Sequence, residues 1–300
     1  MEWLAALKNA VNYMEAHLGE NISAADVAGA VNISPFYFQR GFKIVTDYTV
    51  GEYLRNRRLY LAGLDVIKGG DKVIDISHRY GYDTPESFTR AFTRFHGVSP
   101  MQLKAQPFRI QVFLPLTIEI AIKGGARIEY TVEQAGPMKM IGLESTILVG
   151  SGFSETPRFW EEFQRRYLNP LPENEDAKGG NEREIRKAVL ENQVGEFGIC
   201  FGGGDGAHFC YAIVGIYRGG TVPEGMKVFE IPAHTWAKFQ CAGPMPEAIQ
   251  TMNTRIYREW LPGNPEYEIA SNIDMERYSL GDVKGSGYES AIWIPVKKRN

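Results

Sequence analysis

One short pattern occurs twice near the start of the chain, 50 positions apart, and it constrains the fold more than any other feature. Ser34 to Val45 reads SPFYFQRGFKIV, and Thr84 to Phe95 reads TPESFTRAFTRF. In both copies a hydroxyl residue precedes a proline, and two phenylalanines and an arginine follow in register. A serine or threonine suits the N-cap of a helix, and a proline suits its first turn. Each copy therefore predicts a short helix with a defined start, an aromatic inner face and an arginine on the outer face.

A second, shorter helix is predicted just before each copy. Ser23 and Asp26 fit a capping box at the start of the first such helix. Asp71 and Gly81 suit the start and the end of the second. Two short helices joined by a tight turn form a helix-turn-helix unit. A single unit of this kind is equally well explained as an ordinary helical hairpin with a solvated face, but the repetition of cap and arginine together favours two DNA-reading units.

Thr49 to Lys68 predicts a longer helix between the two units. About twenty residues at 1.5 Å each span roughly 30 Å, close to one turn of duplex DNA. We therefore expect one chain to place its two recognition helices, the second helix of each unit, in adjacent major grooves of double-stranded DNA. The side chains expected on their outer faces are Phe36, Gln39, Arg40 and Lys43 in the first helix and Glu86, Ser87, Arg90, Thr93 and Arg94 in the second.

The composition fits a DNA-binding protein that does not rely on bulk charge. The net charge is −3, so binding is expected to depend on a few arginines concentrated on one face. The three cysteines lack metal-ligand spacing, and the N-terminal stretch lacks signal-peptide features, which indicates free thiols in a reducing cytoplasm. No apolar run approaches the length of a membrane span.

The pattern changes character after residue 106. Residues 107–125 are expected to form a linker, in which Leu114 to Ile122 alternates apolar and polar side chains as a strand does. Residues 126–300 predict two successive copies of a strand hairpin, a helix and two further strands. The sequence therefore predicts two domains. The first, over residues 1–106, is an all-α tandem helix-turn-helix domain, and the second is an α+β domain with a pseudo-twofold antiparallel sheet and helices.

The sequence contains none of the common catalytic or cofactor motifs. There is no nucleophile elbow, zinc-binding helix motif or phosphate-binding loop, and the five histidines are scattered. We therefore expect no catalytic residues, no metal and no cofactor. Core packing explains most of the many aromatic residues of the second domain, and a minority is expected to line a pocket where its two halves meet. The aromatic residues considered are Tyr130, Phe153, Trp160, Tyr211, Trp236, Tyr257 and Trp293.

The segments SPFYFQRGFK, GEYLRNRRL and GYDTPESFTRAFTRFHGVSPMQLK resemble the DNA-binding domain of the AraC/XylS family of bacterial transcription regulators, across residues 1–106. The resemblance implies that side chains near the start of both recognition helices approach base edges. Those side chains are Phe36, Gln39 and Arg40 in the first helix and Pro85, Glu86, Ser87, Thr89 and Arg90 in the second. Relatives often have glutamines where this chain has Pro85 and Glu86. The second recognition helix therefore departs from the family pattern at these two positions, and so does its expected base preference.

The segment DMERY, Asp274 to Tyr278, and the later Ile292 to Val296 resemble the end of a GyrI-like effector-binding domain. The resemblance implies a pocket in which a glutamate among aromatic residues receives lipophilic, often cationic, compounds, and the matching acid is Glu276. Strand alternation puts Tyr278 on the face of Glu276 and Arg277 on the other face, which leaves the acid unpaired. The alternative is a strand carboxylate paired with an arginine such as Arg277. The predicted ligand-binding residues are Glu276, Tyr278, Trp160, Tyr211, Trp236 and Trp293.

Together these patterns predict a cytoplasmic transcription regulator that responds to a hydrophobic small molecule. We expect an activator, with RNA polymerase as a further partner, and not an enzyme. Two alternatives stay open. The second domain could hydrolyse small reactive compounds, with Glu276 and a tyrosine as acid and base, or it could be an architectural module that holds no ligand.

Overall fold

The computed structural model describes residues 2–118, 128–169, 180–202 and 207–299. The chain divides into two units, Glu2–Ile122 and Lys123–Asn300. Helices form the first unit, and a β-sheet with helices forms the second, which confirms the predicted fold class.

Seven α-helices make up the first unit among the residues that the structure describes. Their bounds are α1 (Glu2–Ala16), α2 (Ala24–Ala30), α3 (Pro35–Thr46), α4 (Val50–Lys68), α5 (Val73–Arg79), α6 (Pro85–His96) and α7 (Pro100–Ala105). Helices α2 and α3 form the first helix-turn-helix unit, α5 and α6 form the second, and α4 is the long helix between them. Ser23 and Asp26 form the predicted capping box.

Side-chain caps define where the recognition helices α3 and α6 begin. Ser34 and Thr84 each accept a hydrogen bond from the backbone N–H three residues later, and a proline opens each helix. The cap predicted at Asp71 is wrong, because α5 starts after Lys72 without a side-chain cap. The Asp71 carboxylate instead accepts a hydrogen bond from Arg79 at 2.6 Å.

A partly buried ion pair joins α4 to α1. The Arg57 guanidinium donates two hydrogen bonds, of 2.8 and 2.7 Å, to the Glu15 carboxylate. The hydroxyl of the buried Tyr53 donates to the same carboxylate at 2.6 Å. A charge removed from water is stable only with a partner and satisfied hydrogen bonds, so this network specifies how the two helices pack. The sequence pattern places Arg57 on α4 without showing that it points inward.

The second half of α4 packs closely against α6 at a glycine. A Cβ at Gly63 would lie 2.8 Å from two ring atoms of His96. The buried His96 ring contacts the Leu59 carbonyl through Nε2 at 3.0 Å, and its Nδ1 accepts from the Gln111 N–H at 3.1 Å. Because Nδ1 is an acceptor, the proton sits on Nε2 and the ring is neutral. Burial lowers the pKa of His96 in agreement with this state.

The strand predicted over Leu114 to Ile122 is wrong for residues 114–118, which have no regular secondary structure. The remainder of that stretch lies outside the described residues. The Leu116 N–H donates to the Tyr53 hydroxyl at 3.4 Å. This part of the chain therefore lies along the helical unit. The apolar positions of the pattern do not share one packed face, because Leu114 is exposed whereas Leu116 is half-buried.

One antiparallel sheet forms the centre of the second unit. Its described strands are β1 (Tyr130–Ala135), β2 (Met138–Leu148), β3 (Phe197–Gly202), β4 (His208–Ile216), β5 (Lys227–Ile231), β6 (His234–Ala242), β7 (Tyr267–Ile269), β8 (Ile273–Tyr278) and β9 (Glu289–Lys298). The strand order is β1-β6-β9-β8-β3-β4-β2-β5, and the short β7 pairs with β9.

The strand order has the predicted pseudo-twofold symmetry. If β1, β2, β3 and β4 are exchanged with β5, β6, β8 and β9, the order reads backwards onto itself. The axis passes between β3 and β8, where Gly198 pairs with Glu276. Each edge strand pairs with a strand of the other sequence half, β1 with β6 and β5 with β2.

The described residues of this unit contain four further α-helices. They are α8 (Gly152–Phe163), α9 (Asn181–Glu191), α10 (Glu247–Arg255) and α11 (Leu261–Gly263). A π-helical turn continues α8 over Gln164–Leu168, and another continues α10 over Ile256–Trp260. Helix α9 was not predicted, although Ile185, Ala188 and Val189 form its buried stripe at helical spacing. Within the described ranges, no helix has both the length and the apolar character needed to cross a membrane.

Candidate functional site

Helix α6 presents arginines on its exposed face. Glu86, Arg90 and Arg94 are exposed and follow one another at intervals of four residues, while Phe88 and Phe92 are buried on the opposite side. The two faces lie as the periodicity predicts. Arginine side chains on an exposed helix face suit both phosphate contacts and guanine edges in a major groove.

The other candidates on α6 lie close to its start. Pro85, Ser87 and Thr89 are half-buried. The Ser87 hydroxyl donates to the Thr84 carbonyl at 2.8 Å and so supports the helix start. Among the predicted residues of this helix, the exposed charged side chains are therefore better placed to reach DNA.

Helix α3 differs from α6 at the corresponding positions. Phe36 is 3% exposed and Gln39 is 5% exposed, so the prediction that both lie on an open outer face is wrong. The Phe36 ring packs edge-on against Tyr37, with 5.1 Å between centroids, and the Arg40 guanidinium carbon lies 6.0 Å from the Phe36 ring centre. Burial of a phenylalanine side chain contributes about 1.5–3 kcal/mol, which favours an inward position wherever neighbouring side chains allow it.

The polar candidates on α3 are partly engaged within the domain. Arg40 and Lys43 are half-buried. The Lys43 ammonium donates to the Asp47 carbonyl at 2.6 Å and lies 3.7 Å from the Glu52 carboxylate. A cation at the last turn of a helix also complements the negative pole of its dipole, so Lys43 has a structural role in addition to any contact with DNA.

In the second unit, three of the predicted ligand-binding residues surround the carboxylate of a fourth, Glu276. The hydroxyls of Tyr211 and Tyr278 donate to the same Glu276 oxygen, at 2.5 and 2.7 Å. The Trp160 indole N–H donates to the Tyr211 hydroxyl at 2.9 Å, and its ring meets the Tyr278 ring edge-on with 4.6 Å between centroids. Glu276 is 8% exposed. The result is a shielded acid surrounded by three aromatic side chains.

A glycine makes this convergence possible. Glu276 and Tyr278 project from one face of β8, and Tyr211 reaches them from β4 across the intervening strand β3. It crosses at Gly198, where a Cβ would lie 2.1 Å from the Tyr211 hydroxyl oxygen and 3.1 Å from a Glu276 oxygen. Sequence reasoning missed Gly198, although an isolated glycine within a strand pattern is a signal of close approach.

The Glu276 carboxylate has hydroxyl donors and no counter-cation in the described part of the chain. Arg277 instead lies 3.5 Å from Glu196. The predicted unpaired acid is therefore hydrogen-bonded but not neutralised. Burial, and after it the charge of Glu276, raises the pKa of Tyr211 and of Tyr278, so both hydroxyls remain donors at neutral pH. No cluster of histidine, cysteine or acidic side chains within the described ranges could hold a metal ion.

Two predicted ligand-binding residues lie on the opposite face of the sheet. Trp293 pairs with Met275 across β8 and β9, which puts it out of phase with Glu276 by one residue. Trp236 is fully buried in the core cluster that contains Met275, and Trp293 packs against that cluster. The Lys238 ammonium lies 4.0 Å from the Trp293 ring centre. The prediction that these two tryptophans line the Glu276 site is wrong, because strand alternation directs them away from it.

Comparisons with known proteins match both units. Residues 27–106 match a family described as a helix-turn-helix domain, and residues 174–296 match one described as an integron-associated effector binding protein. The regulatory protein SoxS of Salmonella typhimurium is 32% identical over 88 residues, which cover 29% of this chain and 82% of SoxS. The right origin-binding protein of Escherichia coli K12 is 29% identical over 107 residues, which cover 36% of this chain and 37% of that protein.

The curated relatives are matched over only part of their length, and the solved structures are distant. The chain spans about a third of the length of the first curated relatives that it matches. Among solved structures, that of SAV2435 bound to tetraphenylphosphonium has a TM-score of 0.44 and 21% identity, and covers 57% of this chain and 94% of that one. This structural likeness is distant.

These matches define the class of this protein, a helix-turn-helix protein that carries an effector-binding domain. More particularly, the chain belongs to the AraC/XylS family and carries a GyrI-like effector-binding domain after its DNA-binding domain in the sequence. Both resemblances drawn from the sequence are thereby confirmed. The homologues are regulators of transcription.

Proposed function

We propose that the second domain senses a lipophilic cation and that the chain is a cytoplasmic transcription activator controlled by that ligand. The observation that carries the proposal is the shielded Glu276 carboxylate, which has two hydroxyl donors and no counter-cation in the described part of the chain. A desolvated charge is costly unless an opposite charge accompanies it. An organic cation with apolar substituents supplies that charge, and it also gains cation–π contact with the Trp160 and Tyr278 rings.

The electrostatics of the site favour binding over catalysis. A general acid or base works best with a pKa near the working pH, whereas burial and Glu276 raise the pKa of Tyr211 and of Tyr278. The hydrolase alternative requires one of these hydroxyls to exchange protons readily at neutral pH. Release of a hydrolysis product from a bound ligand, lost in Glu276→Gln, would support that alternative.

Calorimetric titration of the full chain tests the proposal with three related probes. Tetraphenylphosphonium is the cation, tetraphenylborate is an anion of nearly the same shape, and triphenylphosphine oxide is neutral. We expect the cation to bind tightest and the anion to bind weakest. Equal affinity for cation and anion would contradict charge recognition, and failure of all three to bind would favour the ligand-free module.

The sign of regulation has a separate test. We propose that the ligand-bound protein contacts RNA polymerase beside two half-sites in adjacent major grooves. Transcription in vitro from a promoter that carries the selected operator is expected to rise when tetraphenylphosphonium is added. A fall in transcript would instead identify a repressor.

Arg90→Ala is expected to weaken specific DNA binding by about 1–3 kcal/mol and to relax the base preference of one half-site. The exposed side chain suits a bidentate contact with a guanine edge. Arg40→Ala is expected to have a smaller effect, because Arg40 is half-buried beside Phe36. Fluorescence anisotropy with specific and scrambled duplexes measures both effects. Lys8→Ala, which removes one exposed cation from α1, is the charge-matched control, and equal losses for Arg90→Ala and Lys8→Ala would contradict a base contact.

A further inference from the structure

The segment that follows the DNA-binding helices lies against α4, the turn that precedes α4, and α6. We call residues 110–116 the strap. The Phe113 ring contacts three aromatic rings, with centroid distances of 5.3 Å to Tyr48, 6.0 Å to Tyr53 and 6.4 Å to Phe95. Tyr48 joins α3 to α4, Tyr53 belongs to α4, and Phe95 belongs to the second recognition helix α6. One side chain of the strap therefore contacts both halves of the DNA-reading domain.

Backbone hydrogen bonds hold the strap at three points. The Gln111 N–H donates to His96 Nδ1 at the end of α6. The Phe113 carbonyl accepts from Arg57 at 2.5 Å, and the Leu116 N–H donates to the Tyr53 hydroxyl. Arg57 and Tyr53 are the α4 residues that bind Glu15 of α1. The strap is thus anchored to α6 on one side and to the α1–α4 network on the other.

The packing of the strap is one-sided. Val112 is 52% exposed and Leu114 is 64% exposed, although both are apolar. Phe113, between them, is half-buried. The contact is therefore specific to one side chain, and its two neighbours offer substitutions of similar character that leave the contact intact.

We propose that the strap sets the spacing and the relative angle of the two recognition helices, with Phe113 as its positioning residue. Helix α4 also connects the two units, because Tyr53 near its start packs against Phe42 of α3 and Gly63 in its second half packs against His96 of α6. A ring packed against the α3–α4 turn, α4 and α6 together has one favourable position, because protein interiors are close-packed and tolerate little displacement. The strap therefore holds the two helix-turn-helix units at a fixed distance and angle, so that together they recognise one spacing of the DNA half-sites.

Operators of altered spacing test the proposal on the full chain. The operator is first selected from random duplexes, and versions are made with one base pair inserted or removed between its half-sites. One base pair shifts a half-site by about 3.4 Å and rotates it by about 35° around the duplex. Dissociation constants are then measured for the parent, Phe113→Ala, Phe113→Leu and the control Leu114→Ala, by fluorescence anisotropy.

The parent and Leu114→Ala are expected to lose about tenfold or more in affinity when the spacing changes. Phe113→Ala is expected to bind the native spacing more weakly and to lose less than about threefold on the altered spacing. Its affinity for a duplex with a single half-site is expected to equal that of the parent, because the recognition helices themselves are unchanged. A full spacing penalty in Phe113→Ala, or an equal loss of discrimination in Leu114→Ala, overturns the proposal. If circular dichroism shows that Phe113→Ala is unfolded, Phe113→Leu is judged by the same criterion.

Discussion

Glu276→Gln is expected to weaken the binding of tetraphenylphosphonium by about 2 kcal/mol, roughly a thirtyfold rise in Kd. The substitution keeps the size and shape of the side chain and removes the charge that the cation neutralises. The amide oxygen can still accept from Tyr211 and Tyr278, so the site keeps its hydrogen-bonded arrangement. Without ligand, the melting temperature is expected to stay the same or to rise, because an uncompensated buried charge has been removed.

The control for this variant is Glu196→Gln, which removes a carboxylate that lies just before β3 and pairs with Arg277. It is expected to leave the affinity for tetraphenylphosphonium unchanged. Triphenylphosphine oxide is expected to bind the parent and Glu276→Gln equally. An equal loss of the cationic and the neutral probe in Glu276→Gln would mean that the acid shapes the site and does not recognise charge.

Arg57→Ala is expected to lower the free energy of unfolding of the helical domain by about 3 kcal/mol. The substitution leaves the Glu15 carboxylate without its cation and removes the donor to the Phe113 carbonyl. Urea unfolding followed by far-ultraviolet circular dichroism measures the change, since this signal weights the helical domain.

Arg55→Ala is the matched control for Arg57→Ala. Arg55 lies on the same helix and is exposed, and surface substitutions usually change stability by less than about 0.5 kcal/mol. The double variant Glu15→Leu/Arg57→Leu is expected to recover part of the loss, because removal of both charges leaves neither one buried alone. Equal unfolding midpoints for Arg55→Ala and Arg57→Ala would show that the ion pair contributes little.

The helical domain was predictable because its signals are local. Ser34 and Thr84, each followed by a proline, mark helix starts within four residues of sequence, and the structure has both caps. Burial is a tertiary property and was harder to predict. Phe36 occupies the position that Glu86 occupies in the second copy, yet the first is buried and the second exposed. The repeat fixes the position of a residue on its helix, whereas its exposure also depends on what packs there.

The arrangement of the Glu276 site was predictable for residues on the same strand and less so for residues on different strands. Alternation along β8 is sufficient to place Tyr278 beside Glu276 and Arg277 away from them. The position of Trp293 depends on the register between β8 and β9, and a shift of one residue reverses its face. The role of Gly198 depends on a side chain that arrives from a third strand. Neither register nor diagonal contacts can be read from a single sequence.

The exchanged edge strands limit how this effector domain can arise and fold. Strand β1 completes the sheet half formed by the second sequence repeat, and β5 completes the half formed by the first. A single repeat would therefore leave its first strand unpaired and both edges of its three-stranded sheet open, and two identical copies could satisfy each other by swapping their first strands. The strand order of the domain is that of such a swapped dimer within one chain. The sheet half of the first repeat lacks its outer strand until β5 has been synthesised, so the first repeat cannot complete that half while it emerges from the ribosome.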